Sequence, residues 1–170
     1  MKPRVLLAGT YIGLGLIGVS AAPHARPMIV WNASASAPIG FYRIVGLHQI
    51  RAGDLVLVRT PPDLAPLFAA RGYIPSDVPL LKRIAAVEGS TICRDGMRLS
   101  IDGRDEVVAL RADGRGRLLP VWSGCRKLGP GEVFLLMADV PGSLDGRYFG
   151  PTPISSIIGK AVPLWIWRAS

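Results

Sequence analysis

Apolar residues come in blocks along this chain, and the blocks change character near residue 26. The first is long and unbroken. Val5-Leu6-Leu7-Ala8-Gly9-Thr10-Tyr11-Ile12-Gly13-Leu14-Gly15-Leu16-Ile17-Gly18-Val19 is apolar on every side, and residues 5–25 contain no formally charged side chain. About 20 such residues in a helix span a bilayer. Beyond residue 26 the apolar runs shrink to strand length and are fenced by Gly, Pro and Asp. Gly53-Asp54 launches Leu55-Val56-Leu57-Val58, a run that predicts a buried strand. Thr60-Pro61-Pro62-Asp63 reads as a helix start, which predicts a short helix over 64–71 ending at Gly72. Residues 80–87 and 90–93 predict strands. Arg94-Asp95-Gly96 predicts a turn, after which 97–101 continues a hairpin before Asp102-Gly103. Val133-Phe134-Leu135-Leu136-Met137 predicts a strongly apolar strand, and 157–167 a last strand pair or one extended strand. Residues 27–42 read as an extended joining segment, and 111–118 as a polar, Gly-rich loop. The pattern therefore predicts a mainly antiparallel β domain with one short helix over 27–170, behind a single hydrophobic segment over 1–26.

Composition supports this picture. The chain has 170 residues, enough for one ordinary domain. Its 20 Gly and 15 Pro favour a turn-rich β fold over a helical bundle. With 49% hydrophobic and 19% charged residues and a mean hydropathy of +0.34, it is not an intrinsically disordered chain. Lys2 and Arg4 flank the hydrophobic segment, so that end should stay in the cytoplasm and the remainder lie outside. A cleaved signal peptide has the same grammar, with Val19-Ser20-Ala21 as a small-residue cleavage site. Either reading exports the β domain.

Net charge is +8, and without the segment carrying Lys2, Arg4 and Arg26 it is +5. The arginines are dispersed, and no aromatic residues interleave with the cluster Arg111, Arg115, Arg117, as a base-stacking surface would require. No nucleic-acid partner is expected. A β domain that binds an anionic polymer through its arginines is a further reading, which would give steep salt dependence. Two cysteines exclude a four-cysteine zinc site, and two histidines leave little room for histidine metal chemistry, so no metal or other cofactor is expected. In an oxidising compartment Cys93 and Cys125 could form one disulfide; the other reading is two separate thiols.

The chain has no Gly-rich phosphate loop, no paired-histidine motif and no CxxC. What remains is Ser or Thr chemistry with a base other than His, and three places stand out. In Asn32-Ala33-Ser34-Ala35-Ser36-Ala37-Pro38-Ile39-Gly40-Phe41-Tyr42 two serines lie two apart in a Pro-ended segment. In Pro79-Leu80-Leu81-Lys82-Arg83-Ile84 a lysine sits inside an apolar strand. Strand alternation puts Lys82 on the face of Leu80 and Ile84 and turns Arg83 away. Burial would favour the neutral amine and make it a usable base, whereas an edge lysine would snorkel to water. Asp139-Val140-Pro141-Gly142-Ser143-Leu144-Asp145-Gly146-Arg147-Tyr148-Phe149-Gly150-Pro151 is a polar loop in which Asp145 and Arg147 could pair and Ser143 could bond inward.

Together, in this order and spacing, the three segments resemble the type I signal peptidase family, and within it the TraF-like branch of conjugative-transfer peptidases. The resemblance covers nearly the whole chain and implies a signal-peptidase-like β domain with a Ser–Lys dyad. It implies Ser36 as nucleophile and Lys82 as general base, with the Ser34 hydroxyl helping the Ser36 amide hold the oxyanion. It implies that Ser143 orients the lysine and that Asp145 and Arg147 form a structural pair. Most type I signal peptidases have Met after the nucleophile and Pro two residues beyond that; here Ser36 is followed by Ala37 and Pro38, the TraF-like arrangement. Gly146 also stands where many housekeeping enzymes have Ser. The implied protein is a serine endopeptidase of the bacterial inner membrane with a periplasmic catalytic domain. Its implied partners are the membrane and a protein substrate, a conjugative pilin precursor or other exported preprotein, with peptide cyclisation as a possible outcome. Phe41, Tyr42, Leu80 and Leu81 are expected to line a shallow groove that accepts an extended peptide as an added strand. A non-catalytic envelope assembly subunit of a conjugation apparatus is the alternative.

Overall fold

The computed structural model describes residues 29–167. The hydrophobic segment over 1–26, with its alternatives of anchor and cleaved signal, lies outside the described residues. Among the described residues no helix is long and apolar enough to cross a membrane.

The elements run β1 (Ile29–Asn32), β2 (Gly40–Val45), β3 (Leu55–Val58), α1 (Ala65–Ala70), β4 (Leu80–Ala86), β5 (Thr91–Asp95), β6 (Arg98–Ile101), β7 (Arg104–Val108) and β8 (Gly124–Lys127). They continue with β9 (Glu132–Leu135), α2 (Gly146–Phe149), β10 (Thr152–Pro153), a 3-10 turn (Ile154–Ser156) and β11 (Ile157–Ile166). Seven strands form one sheet in the order β1-β2-β11-β3-β4-β9-β10, and four form a second in the order β7-β6-β5-β8. All of these pairings are antiparallel. The mainly antiparallel β expectation is met.

β4 lies at the centre of the fold because its side chains serve three environments. Leu80 and Ile84 join Val56, Val58 and Leu135 in one buried cluster. Leu81 joins Tyr42, Leu57 and Met137 in another. Ala86 meets Phe134, Leu136 and the second sheet's Ile92, Leu99 and Ile101, which fastens the two sheets together. Arg83 alone of the strand faces out, donating to the Gly53 carbonyl at 2.7 Å.

Three expectations need correction. Residues 27–42 are not a plain joining segment, because β1 and the start of β2 lie within them as an antiparallel pair joined by the loop 33–39. Arg94 and Asp95 belong to β5, and the chain reverses at Gly96-Met97. A second short helix, α2, is present. Its backbone is capped by Asp145, which accepts from the Arg147 amide, and Gly146 is needed because an added Cβ would lie 2.7 Å from both the Leu135 carbonyl and the Phe134 ring.

Cys93 and Cys125 form a disulfide between directly paired residues of β5 and β8. The link spans 32 residues. In the chain-entropy picture a loop of that size stabilises the fold by about 3–4 kcal/mol.

Candidate active site

The Ser34–Ser36 turn is built by Asn32. This residue ends β1 and is nearly buried, so its amide must find partners. Its Nδ2 donates to the carbonyls of Ser34, Ala37 and Pro38 at 2.9, 3.1 and 3.0 Å, and its Oδ1 accepts from the Ser34 amide at 3.1 Å. Tyr42, on the paired strand, donates its hydroxyl to the Pro38 carbonyl at 2.6 Å. Buried Ala37 pins the turn to the core. Both serine side chains are thereby left at the surface of a hollow. Ser34 Oγ accepts the Ser36 amide at 3.2 Å and lies 2.9 Å from Ser36 Oγ.

Lys82 enters the same hollow from β4. Only 2% of its surface is exposed. Its Nζ donates to Ser143 Oγ at 2.7 Å. Burial lowers its pKa from 10.5 to about 8; the Asp145 carboxylate pulls it back up in part, and the Arg147 guanidinium pushes it further down. Lys127 is exposed and Lys160 pairs with Asp54, so Lys82 is the one buried lysine among the described residues.

The loop that carries Ser143 is held by a buried ion pair. Arg147 and Asp145 meet at 2.8 Å with both side chains essentially inaccessible. Arg147 Nε also donates to Asp145 Oδ1 at 2.9 Å. The remaining capacity of both groups goes to the loop backbone. Arg147 donates to the carbonyls of Met137, Val140 and Ser143, and Asp145 accepts from the Met137 amide at 3.0 Å. A buried pair of charges is tolerable only when its other donors and acceptors are filled in this way. The second sheet and the segment leading into β8 support the same helix. Buried Arg94 donates to the Arg147 carbonyl, and Trp122 Nε1 donates to the Gly146 carbonyl at 2.9 Å.

Ser34, Ser36, Lys82 and Ser143 therefore face one cavity of about 570 Å³. Among the described residues the hydrogen bonds of this group run in two pairs, Ser34 with Ser36 and Lys82 with Ser143, and none joins Ser36 to Lys82. Of the four residues expected in a substrate groove, Leu80 and Leu81 are among those that line the cavity. Phe41 and Tyr42 do not. Successive strand residues point to opposite faces, so Tyr42 turns into the core and Phe41 packs outside, its ring tilted against those of Trp31 and Trp165. The far wall comes from the 111–118 loop, where Asp113 accepts from Tyr73 at 2.5 Å and from Arg117 at 2.7 Å. Asn32 and Arg94 were not singled out from the sequence. For Asn32 the available signal was an Asn at the head of a small-residue turn, a common side-chain-to-backbone device. Among the described residues no cluster of His, Cys, Asp or Glu could hold a metal ion.

An antiparallel β domain with paired serines and one buried lysine on a common cavity is the setting in which the comparisons fall. The family model "Signal peptidase, peptidase S26" matches residues 3–167, and the chain belongs to that family. Within it, the chain is similar to proteins named for conjugation. The "Probable conjugal transfer protein TraF" of Sinorhizobium fredii (strain NBRC 101917 / NGR234) is 35% identical over 172 residues, covering 94% of this chain and 88% of that protein. The "Conjugal transfer protein TraF" of Agrobacterium fabrum (strain C58 / ATCC 33970) is 33% identical over 145 residues, covering 79% and 80%. Among solved structures, a signal peptidase I from Enterococcus faecalis V583 aligns with a TM-score of 0.40 at 17% identity, over 68% of this chain and 98% of that one.

Proposed function

We propose that this protein is a membrane-anchored serine endopeptidase that cuts exported precursors, foremost a conjugative pilin precursor, through a Ser36–Lys82 dyad. The observation that carries the reading is Lys82, a buried amine with its pKa lowered to about 8, opening onto the same cavity as Ser36. Family membership and the conjugal-transfer names of the relatives support it. The hydrophobic segment over 1–26 would hold the chain in the inner membrane with its N-terminus in the cytoplasm. The peptidase domain would then work on the periplasmic side.

A serine hydroxyl attacks a peptide carbonyl only when a base takes its proton. As a neutral amine, Lys82 donates one N–H to Ser143 and keeps its lone pair for the cavity. To hand over its proton, Ser36 Oγ turns from Ser34 toward that lone pair. The tetrahedral oxyanion is then held by the Ser36 amide and the Ser34 hydroxyl, which already lie side by side. Lys82 passes the proton to the leaving amine, and an acyl group remains on Ser36 Oγ. In the second half, Lys82 takes a proton from water, the hydroxide attacks the ester, and Ser36 regains its hydroxyl.

The test is processing of the cognate pilin precursor, co-expressed in membranes, by wild type, Ser36→Ala and Lys82→Ala, with products read by mass spectrometry. Loss in both variants at normal protein levels is expected. The product mass distinguishes linear from cyclic pilin. Undiminished processing by Ser36→Ala would favour a non-catalytic assembly subunit instead.

A further inference from the structure

Ser36 stands between two hollows. The first, just described, contains Ser34, Lys82 and Ser143. The second, about 850 Å³, is lined mostly by apolar residues, among them Pro38, Ile39, Met137, Ile166 and Trp167, with Arg83 and Asp139 as its charged members. Ser36 is the one residue common to both linings. The chemistry above uses only the first hollow, so the second has no role in it.

A peptide bond presented to Ser36 has chain on both sides of it, and the two halves have different fates. The half before the cut stays bonded to Ser36 as the ester and must remain beside Lys82 while water attacks. The first hollow suits that half, because it is bordered by β1, which among the described residues has one neighbour in the sheet and so presents an edge. The half after the cut is released first and must leave without crossing Lys82. We propose that the second hollow binds the residues following the cut and selects apolar side chains there. This rests on the Ser36–Lys82 reading and extends it to substrate preference.

The walls of the second hollow are already held in place. The amide of Met137 is fixed by Asp145 and the carbonyl of Val140 by Arg147. The Trp167 amide donates to the Ile39 carbonyl at 2.7 Å, which joins the two ends of the rim. A preformed apolar groove gives up little ordering entropy on binding and discriminates by the surface it covers.

Acyl transfer tests this with the full-length protein in detergent. An acetylated Ala-Leu-Ala p-nitrophenyl ester supplies only the half before the cut. The amide of Leu-Leu or of Gly-Gly is added to compete with water for the acyl-enzyme. The amine nitrogen attacks the ester carbonyl, a C–N bond forms and the C–Oγ bond to Ser36 breaks. The amine's proton passes through Lys82 to Ser36 Oγ. The readout is the ratio of transfer to hydrolysis, which cancels any change in overall rate. Leu-Leu-amide should exceed Gly-Gly-amide by about tenfold or more, the size expected for apolar side chains in a pocket. Ala138→Trp, which fills the hollow at an exposed position, and Ile39→Glu should each reduce the Leu-Leu-amide ratio to the Gly-Gly-amide value. Equal ratios for the two amines in wild type, or ratios unmoved in both variants, would overturn the groove assignment alone. Ester turnover that survives Ser36→Ala would instead overturn the Ser36–Lys82 reading and the assignment with it.

Discussion

Replacing Lys82 with methionine should strengthen the fold at neutral pH while ending catalysis. The folded chain holds this amine where its pKa is about 8, against 10.5 for an ordinary lysine. At pH 7 the lysine is charged in both states, and the folded state bears the whole penalty of burying the charge. At about 1.4 kcal/mol per pKa unit, that penalty is roughly 3 kcal/mol. Methionine is of similar length and carries no charge, so the penalty disappears. Against this, the Ser143 hydroxyl, itself 2% exposed, loses its partner, which costs about 1 kcal/mol. The net gain should be about 2 kcal/mol. Its pH dependence distinguishes this cause from better packing. Between pH 8 and 10.5 the unfolded wild-type chain binds a proton that the folded chain has released, so raising the pH favours folding. Below pH 8 the penalty is fully present, and above 10.5 it is gone. The advantage of the variant should therefore be largest at pH 7, shrink through pH 9, and become a deficit of about 1 kcal/mol above pH 10.5. Urea unfolding of both proteins, followed by tryptophan fluorescence across this range, measures the difference directly. A difference that stays constant with pH, or a variant less stable at pH 7, would refute the argument.

Other consequences can be checked more briefly. Initial-rate measurements against pH should show activity rising about tenfold per pH unit below pH 8 and levelling above it, as the Lys82 amine becomes neutral. In Ser143→Ala that limb should move to lower pH, because the lost acceptor had favoured the ammonium, and kcat should fall as the lysine loosens. Ser34→Ala should lower kcat by about 10²–10³ with little change in KM, since on the proposed mechanism its hydroxyl would act on charge that develops only during the reaction; steady-state kinetics separates the two constants. Asp145→Ala leaves Arg147 buried without its counter-charge and should destabilise the domain by about 3–5 kcal/mol, read from denaturant midpoints.

How much of this was legible in the sequence depended on whether a residue's role was written in local pattern. β3, β4 and β9 are apolar runs between turn signals, and each was readable to within a residue or two. α1 was readable from the Thr-Pro-Pro-Asp entry and from Gly72, whose positive φ and amide bond to the Ala69 carbonyl end it. β8 was not, because Gly-Cys-Arg-Lys is exposed at all four positions and becomes a strand only by pairing with β5. α2 has too few residues to show a helical period. β1 and β2 were hidden by the Ser- and Ala-rich turn between them, which has the composition of a linker. Lys82 and the polar loop with Ser143, Asp145 and Arg147 stood out from their surroundings, whereas Ser36 took its role from the family resemblance; the fold places Ser36, Lys82 and Ser143 on one cavity and leaves Ser36 and Lys82 without a hydrogen bond between them. Arg94 looked like one more turn arginine, and its burial is decided by Arg147, a partner 53 residues away.

That dependence on distant partners has a bearing on the chain while it is still being made. Lys82 is joined to Ser143, 61 residues further along, and the charges that adjust it belong to Asp145 and Arg147. Until those later residues have been synthesised and packed, position 82 is an ordinary solvated lysine with a pKa of 10.5, and far less of it is the neutral base near pH 7 than in the folded chain. On the proposed dyad, a nascent or truncated chain would carry Ser36 without the means to activate it. Cutting ability would arrive only with a nearly complete polypeptide, so an unfinished copy poses little threat to its neighbours.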